Sequence, residues 1–201
     1  MIVSPMATDD RILDAALDVF GEHGVRRGTL GEVAQCAGVG RATLYRYFAG
    51  KDALVAALVL REARLLFAML DDELAGTDDP AELLERGLIA AYRHLREHAL
   101  LQRVLREEPE EVLPWLTVRA APLLTAAVEF GTPYVERAVK AERIPRVEPR
   151  IAAEWAARIL LSLLLTPSVT VDLDDERDLR AFVGWLIQGG PDATRPARRR
   201  R

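Results

Sequence analysis

Cysteine occurs once in this chain of 201 residues, lysine twice and asparagine not at all. The single thiol, Cys36, excludes an intrachain disulfide, and nothing in the composition points to an oxidising compartment. The longest strongly apolar run is "ILLSLLL", Ile159 to Leu165. It is far short of the roughly 20 residues that a membrane-spanning helix needs. The opening "MIVSPMATDDR" has no basic stretch followed by a long apolar one, so it does not read as a secretory signal. A Ser-His-Asp order, a Gly-rich phosphate loop and a clear carboxylate pair are also missing, so neither an enzyme nor a cofactor is expected. Formal net charge is -4, which does not announce a polyanionic partner. A soluble, cytoplasmic protein without membrane association is what these absences leave.

What is present is apolar and helical. Half of the residues are hydrophobic, enough for a sizeable core. No strand alternation and no internal repeat is seen, and the apolar period is helical almost throughout, so the fold class is all-α. Ile12, Ala16, Val19 and Phe20 make one stripe of a first helix, with Thr8 or Asp9 as its cap and Gly24 as its stop. Thr29 and Glu32 have the spacing of a capping box. A short second helix follows, with Leu30, Val33 and Ala34 inward, ending near Ala37-Gly38. A third runs from about Arg41 to Tyr47 and is broken by Gly50.

Longer helices are expected over about 51–74, from near Pro80 toward His98, over about 115–139 with a kink near Gly131 and Pro133, and over 151–165. "EEPEEVLP" reads as a break with short helical pieces around it. A last helix carries Leu179, Phe182, Val183 and Leu186 on one face. The tail "ATRPARRRR" has nothing apolar to fold with and reads as disordered, either a flexible phosphate-binding arm or a solubilising end, the second being favoured because it lies far along the chain from the third helix. The domains are therefore drawn at 1–52, 53–190 and 191–201.

Charge is uneven. Between Arg26 and Lys51 stand five cations (Arg26, Arg27, Arg41, Arg46, Lys51) against one anion, Glu32, a local net of +4. Two short helices joined by a tight turn containing glycine have helix-turn-helix geometry. Gly38 and Gly40 suit the turn because they tolerate positive φ. Ala34 and Ala37 are small enough for close approach. Val39, Leu44 and Phe48 face Ile12, Ala16 and Phe20, which leaves Arg41, Ala42, Thr43, Tyr45, Arg46 and Tyr47 on the N-terminal end and outer face of the third helix. In such motifs that helix enters the major groove.

"TLGEVAQCAGVGRATLYRYFAGKDAL", with the preceding "ILDAALDVFGEHG", resembles the DNA-binding domain of TetR-family transcriptional regulators over about residues 9–58. The resemblance implies a ligand-responsive regulator, a repressor, that binds a palindromic double-stranded operator as a homodimer. It implies that Arg41, Ala42, Thr43 and Tyr45 reach bases, and that Thr29, Thr43, Arg46, Tyr47 and Lys51 hold phosphates. Lys51 begins the fourth helix, so its ammonium and the helix dipole would act together on a phosphate. Many family members have Ser or Thr where this chain has Gly40, so a capping hydroxyl is missing here.

The resemblance also implies a larger helical domain that takes a small-molecule effector and dimerises through its last two helices. Trp155, Ile159, Leu163, Phe182 and Leu186 are the candidates for that interface. An effector pocket needs apolar lining. Its candidates are Phe67, Leu70, Leu88, Tyr92, Trp115, Leu123, Phe130, Tyr134 and Trp155, which suit an apolar effector.

Two alternatives stand beside this reading. "HLREH", His94 to His98, matches H-x-x-E-H, a zinc pattern. It raises a helical metal-dependent hydrolase, which would need a third protein ligand. Read without metal, the two histidines mark an exposed helix end. The other alternative is a partner-binding helical module with a vestigial helix-turn-helix. Cys36 is expected to pack inside the small domain as a modest apolar residue.

Overall fold

Ten helices and no strand form among the residues that the computed structural model describes, 7–77, 79–144 and 146–187. They are α1 (Thr8–His23), α2 (Leu30–Cys36), α3 (Arg41–Tyr47), α4 (Lys51–Leu74), α5 (Pro80–Glu97), α6 (Ala99–Glu107), α7 (Pro109–Leu116), α8 (Ala121–Lys140), α9 (Pro149–Leu165) and α10 (Glu176–Ile187). The all-α class is as expected. The tail 191–201 lies outside the described residues, as does the side chain of Leu186. None of the described helices is long and apolar enough to cross a membrane.

The chain divides into two compact units. One holds Met1–Leu66 with Leu95–Ala126, the other Phe67–His94 with Ala127–Arg201.

In the first unit the α1 stripe is buried as its spacing requires: Ile12, Ala16, Val19 and Phe20 all face inward. With Val33, Leu44 and Leu54, the side chains of Ile12 and Phe20 are wholly enclosed. Burying each such side chain contributes about 1.5–3 kcal/mol. The start of α1 differs from expectation. Thr8 is already helical and the cap position is Ala7, which makes no side-chain bond. Asp9 and Asp10 in the first turn instead offset the positive end of the helix dipole. Gly24 stops the helix at φ 83°, a conformation that disfavours any other residue.

The Thr29–Glu32 capping box forms. The Thr29 hydroxyl accepts the Glu32 N–H at 3.2 Å, and Glu32 Oε2 accepts the Thr29 N–H at 2.8 Å. The same backbone bond from Thr29 holds the Glu32 carboxyl below its ordinary pKa. At the far end of α2, Arg11 of α1 donates to the Ala37 carbonyl at 2.7 Å. Of the two turn glycines, Gly38 adopts positive φ (63°), whereas Gly40 sits at φ -72° and needs no glycine. Cys36 is a correction: it is exposed, not packed inside.

The helix expected from about Trp115 begins at Ala121 instead. Thr117 leaves helical backbone at φ -130°, ψ -100°, so Trp115 belongs to α7. Pro133 does lie within α8, and the Thr132 hydroxyl donates to the Val128 carbonyl at 2.6 Å just before it.

The second unit is organised around Ile89 and Tyr92 of α5, Leu173, and Leu179 and Val183 of α10, with Leu88, Leu160, Leu163 and Phe182 packed against them. Gly131 of α8 lets α9 come close: a Cβ there would stand 3.3 Å from that of Ala153.

Candidate nucleic-acid interface

Helix α3 is anchored from one side only. Leu44 is fully buried and Phe48, its C-terminal cap residue, is 8% exposed. Arg41, Ala42, Tyr45, Arg46 and Tyr47 are exposed, and Thr43 is half-buried. Tyr45 and Tyr47 keep 54% and 44% of their surface in water. Two large aromatics thus stand about half in water on a seven-residue helix, the Tyr47 ring also meeting that of Phe48 with centroids 6.5 Å apart. The Arg46 guanidinium lies over the Tyr47 ring, 5.5 Å from its centroid. The arrangement offers hydrogen-bond donors, one positive patch and flat apolar rings on a rigid rod narrow enough for a major groove.

The expected phosphate ligands Thr29 and Lys51 are both already engaged. Thr29 gives its hydroxyl proton to Glu32 Oε2 at 2.8 Å, so a phosphate would receive that proton only in exchange with Glu32. Lys51 opens α4, and its Nζ donates to the Arg26 carbonyl at 2.9 Å, 5.8 Å from the centre of the Phe20 ring.

That carbonyl belongs to a tether which sequence reasoning missed. Arg26 also gives its backbone N–H to Glu108 at 3.1 Å and pairs its guanidinium with Glu110. Arg103 of α6 donates to the Gly21 carbonyl at 2.5 Å. The junction of α6 and α7 thus grips the α1–α2 turn. Gly24 fits under that grip, since a Cβ there would meet Glu108 Oε1 at 2.7 Å. "EEPEEVLP" carries no local mark of this role.

Gly40, the cap residue of α3, makes no side-chain bond, and nothing lies within 4 Å of where its Cβ would be. Gly40→Ser is therefore expected to add a capping bond and raise stability by a few tenths of a kcal/mol. Operator affinity should rise with it, because the new hydroxyl stands at the end of the helix expected to face phosphate. Thermal unfolding and binding titrations check this; a lower melting temperature would mean that the cap geometry is wrong.

His94 and His98 do not share one helix. Helix α5 ends at Glu97, and His98, at φ -68° and ψ 98°, is the cap of α6. Its Nδ1 accepts the Leu101 N–H at 3.2 Å, so the neutral ring carries its proton on Nε2, 3.2 Å from Glu62 Oε2. His98 is thus a half-buried structural residue, not an exposed helix end. Among the described residues no group of three metal-ligating side chains occurs. The hydrolase alternative has no support.

The hydrogen bond to Glu62 raises the His98 pKa above the ordinary imidazole value, against the opposing effect of burial. A raised folded-state value contributes stability that is complete below the unfolded pKa and lost as pH rises through the folded one. The unfolding midpoint is therefore expected to be highest below the ordinary imidazole pKa and to fall as pH rises from there through the raised folded-state value. Glu62→Gln should remove most of that fall. An unchanged pH profile in the variant would show that the pair does not act in this way.

The nine effector candidates fall into groups. Trp115 and Leu123 belong to the first unit and the others to the second. Phe67 and Phe130 stack with centroids 4.7 Å apart, and Tyr134 leans on Phe130 at 5.2 Å. The Tyr134 hydroxyl donates to Asp71. Burial first, and then the Asp71 carboxylate, push its pKa up to about 12. Leu70 is buried in the same unit.

Leu88, Tyr92 and Trp155 instead line an apolar cleft between α5, α9 and α10, together with the interface candidates Ile159 and Leu163. Its room, about 20 Å³, is that of a single water. Phe182 packs against the same cluster. Trp155 is 49% exposed, and so is Trp185 of α10, while Ile151 at the start of α9 is 68% exposed. Ile151 and Trp185 add apolar surface that the sequence reading passed over.

Residues 12–58 match the family of bacterial regulatory proteins named for tetR, and residues 79–184 match the C-terminal domain of the bacterial tetracyclin repressor. An uncharacterized HTH-type transcriptional regulator of Mycobacterium tuberculosis (strain CDC 1551 / Oshkosh) is 32% identical over 184 residues, 89% of this chain and 82% of that protein. Among solved structures, the TetR family repressor AlkX from Dietzia sp. strain DQ12-45-1b, implicated in biodegradation of n-alkanes, superposes with a TM-score of 0.72 at 23% identity, covering 94% of this chain and 99% of that one. The fatty acid degradation regulator FadR from Bacillus halodurans gives 0.64 at 20% identity, covering 94% and 99%. These two likenesses concern the fold.

Proposed function

The chain belongs to the TetR family of bacterial transcriptional regulators, ligand-responsive DNA-binding proteins, and on that premise we propose that it is a homodimeric repressor reading a palindromic operator through α3. The observation that carries the proposal is α3 itself: anchored by Leu44 beneath, it turns Arg41, Ala42, Tyr45, Arg46 and Tyr47 to solvent. Residues 1–52 form the DNA-binding domain and 53–190 the regulatory one. Arg41, Ala42, Thr43 and Tyr45 read base edges, while Thr29, Arg46, Tyr47 and Lys51 hold phosphates and fix register. Dimerisation through α9 and α10 sets the two recognition helices about 34–36 Å, or a multiple of that, apart. The protein acts in the cytoplasm, where the operator is.

The effector is small and apolar. The lining of the α5–α9–α10 cleft supports this, and so do the n-alkane and fatty acid contexts of AlkX and FadR. A drug-sized ligand fills roughly 300–1,000 Å³, so the effector must open its site. It releases DNA only in so far as it binds the opened state more tightly.

Selection of bound duplexes from a random pool by purified protein, at near-physiological salt, tests the core of the proposal. Recovery of a palindrome with half-sites one helical turn apart, or a multiple, is expected. Recovery of no motif, with binding that vanishes as salt rises, would leave only nonspecific phosphate attraction and overturn it.

A further inference from the structure

Gly31 stands second in α2, a helix of seven residues. Glycine weakens a helix relative to alanine, most noticeably in one this short. Positive φ does not explain it, since among the described residues the glycines that adopt positive φ are Gly24, Gly38 and Gly76. What explains it is Arg41. A Cβ on residue 31 would lie 2.6 Å from Arg41 Nη2, 3.2 Å from its Cζ and 3.3 Å from its Nε. The guanidinium of α3 rests in the space that the missing side chain leaves on α2.

We propose that Gly31 is a specificity-determining residue: by leaving that seat empty it sets the direction in which the Arg41 guanidinium leaves α3, and so the base pair it selects. This rests on the reading of Arg41 as a base contact. Bidentate pairing with the O6 and N7 edge of guanine demands the guanidinium plane in one orientation. An arginine on four rotatable bonds loses most of its freedom on reaching that orientation. A seat against α2 supplies part of the ordering in advance. A methyl at residue 31 would displace only the tip of a flexible side chain, so the fold survives while Arg41 must approach DNA from elsewhere.

The test uses full-length Gly31→Ala, Arg41→Ala and the double variant. Each is titrated against the selected operator and a set of duplexes in which single base pairs are changed, at one salt concentration. Arg41→Ala is expected to flatten the preference at one base pair of each half-site. Gly31→Ala should change the preference at that same base pair by about tenfold. Its melting temperature should be unchanged or higher, and its salt dependence unchanged. In the Arg41→Ala background it should do nothing further to base preference. A Gly31→Ala protein with wild-type preferences beside an altered Arg41→Ala would overturn the proposal alone. So would an equal shift with and without Arg41. An Arg41→Ala protein that keeps every preference would remove the premise as well.

Discussion

Arg41→Ala is expected to weaken operator binding by roughly 5- to 150-fold per half-site, the equivalent of about 1–3 kcal/mol for one bidentate base contact. Fold and dimer should be unaffected. Arg41 is exposed and begins a helix held by Leu44, and alanine is the best helix former. Tyr45→Ala should behave alike, because its ring is more than half in water. The loss should be confined to the operator, leaving affinity for scrambled duplex near wild type. Arg46→Ala supplies the contrast: a phosphate contact weakens both duplexes alike and lowers the salt slope by about one. Titrations on both duplexes at several salt concentrations separate the two patterns. If Arg41→Ala and Tyr45→Ala both bind the operator as wild type does, α3 is not the reading element.

The parts of this interface that were legible in the sequence are those whose causes are local. The capping box links residues three apart, and it forms. The bounds of α2 and α3 follow from Thr29, from Gly38 and from the alternation of Leu44 and Phe48 with polar neighbours. What was not legible depends on distant partners or on marks that sequence does not carry. The bonds from Arg26 to Glu108 and from Arg103 to Gly21 each span 82 residues. No period connects such positions. The break between α5 and α6 has neither glycine nor proline, because the His98 ring supplies the cap. H-x-x-E-H therefore looked like one helical face and is two. Cys36 follows Ala34 by two residues, about 200° around the helix. The face that buries Ala34 therefore turns Cys36 outward, and its apolar character alone was a poor guide.

The larger unit was legible as helices but not as a site, and the reason is physical. Apolar side chains on α9 and α10 satisfy core, cleft and partner surface by the same chemistry, so their spacing cannot distinguish the three. Their exposure can. Trp155 and Trp185 at 49% and Ile151 at 68% are too large and too apolar to be left in water without a cause. A second copy of the chain is the cause proposed above. Trp155→Glu is accordingly expected to give a folded monomer. The charge sits at a half-exposed position, where it keeps contact with water and does not unfold α9. Trp155→Phe, which keeps an apolar ring, should remain dimeric.

The monomer would lose the second half-site as an intramolecular event. Its operator affinity should fall by roughly 10²–10⁴ with no change at α3. Its melting temperature should cease to depend on protein concentration. Sedimentation and operator titration of the two variants decide the matter. A dimeric Trp155→Glu with wild-type affinity would move the interface away from this face, and the exposed apolar side chains of α9 and α10 would then need a different occupant.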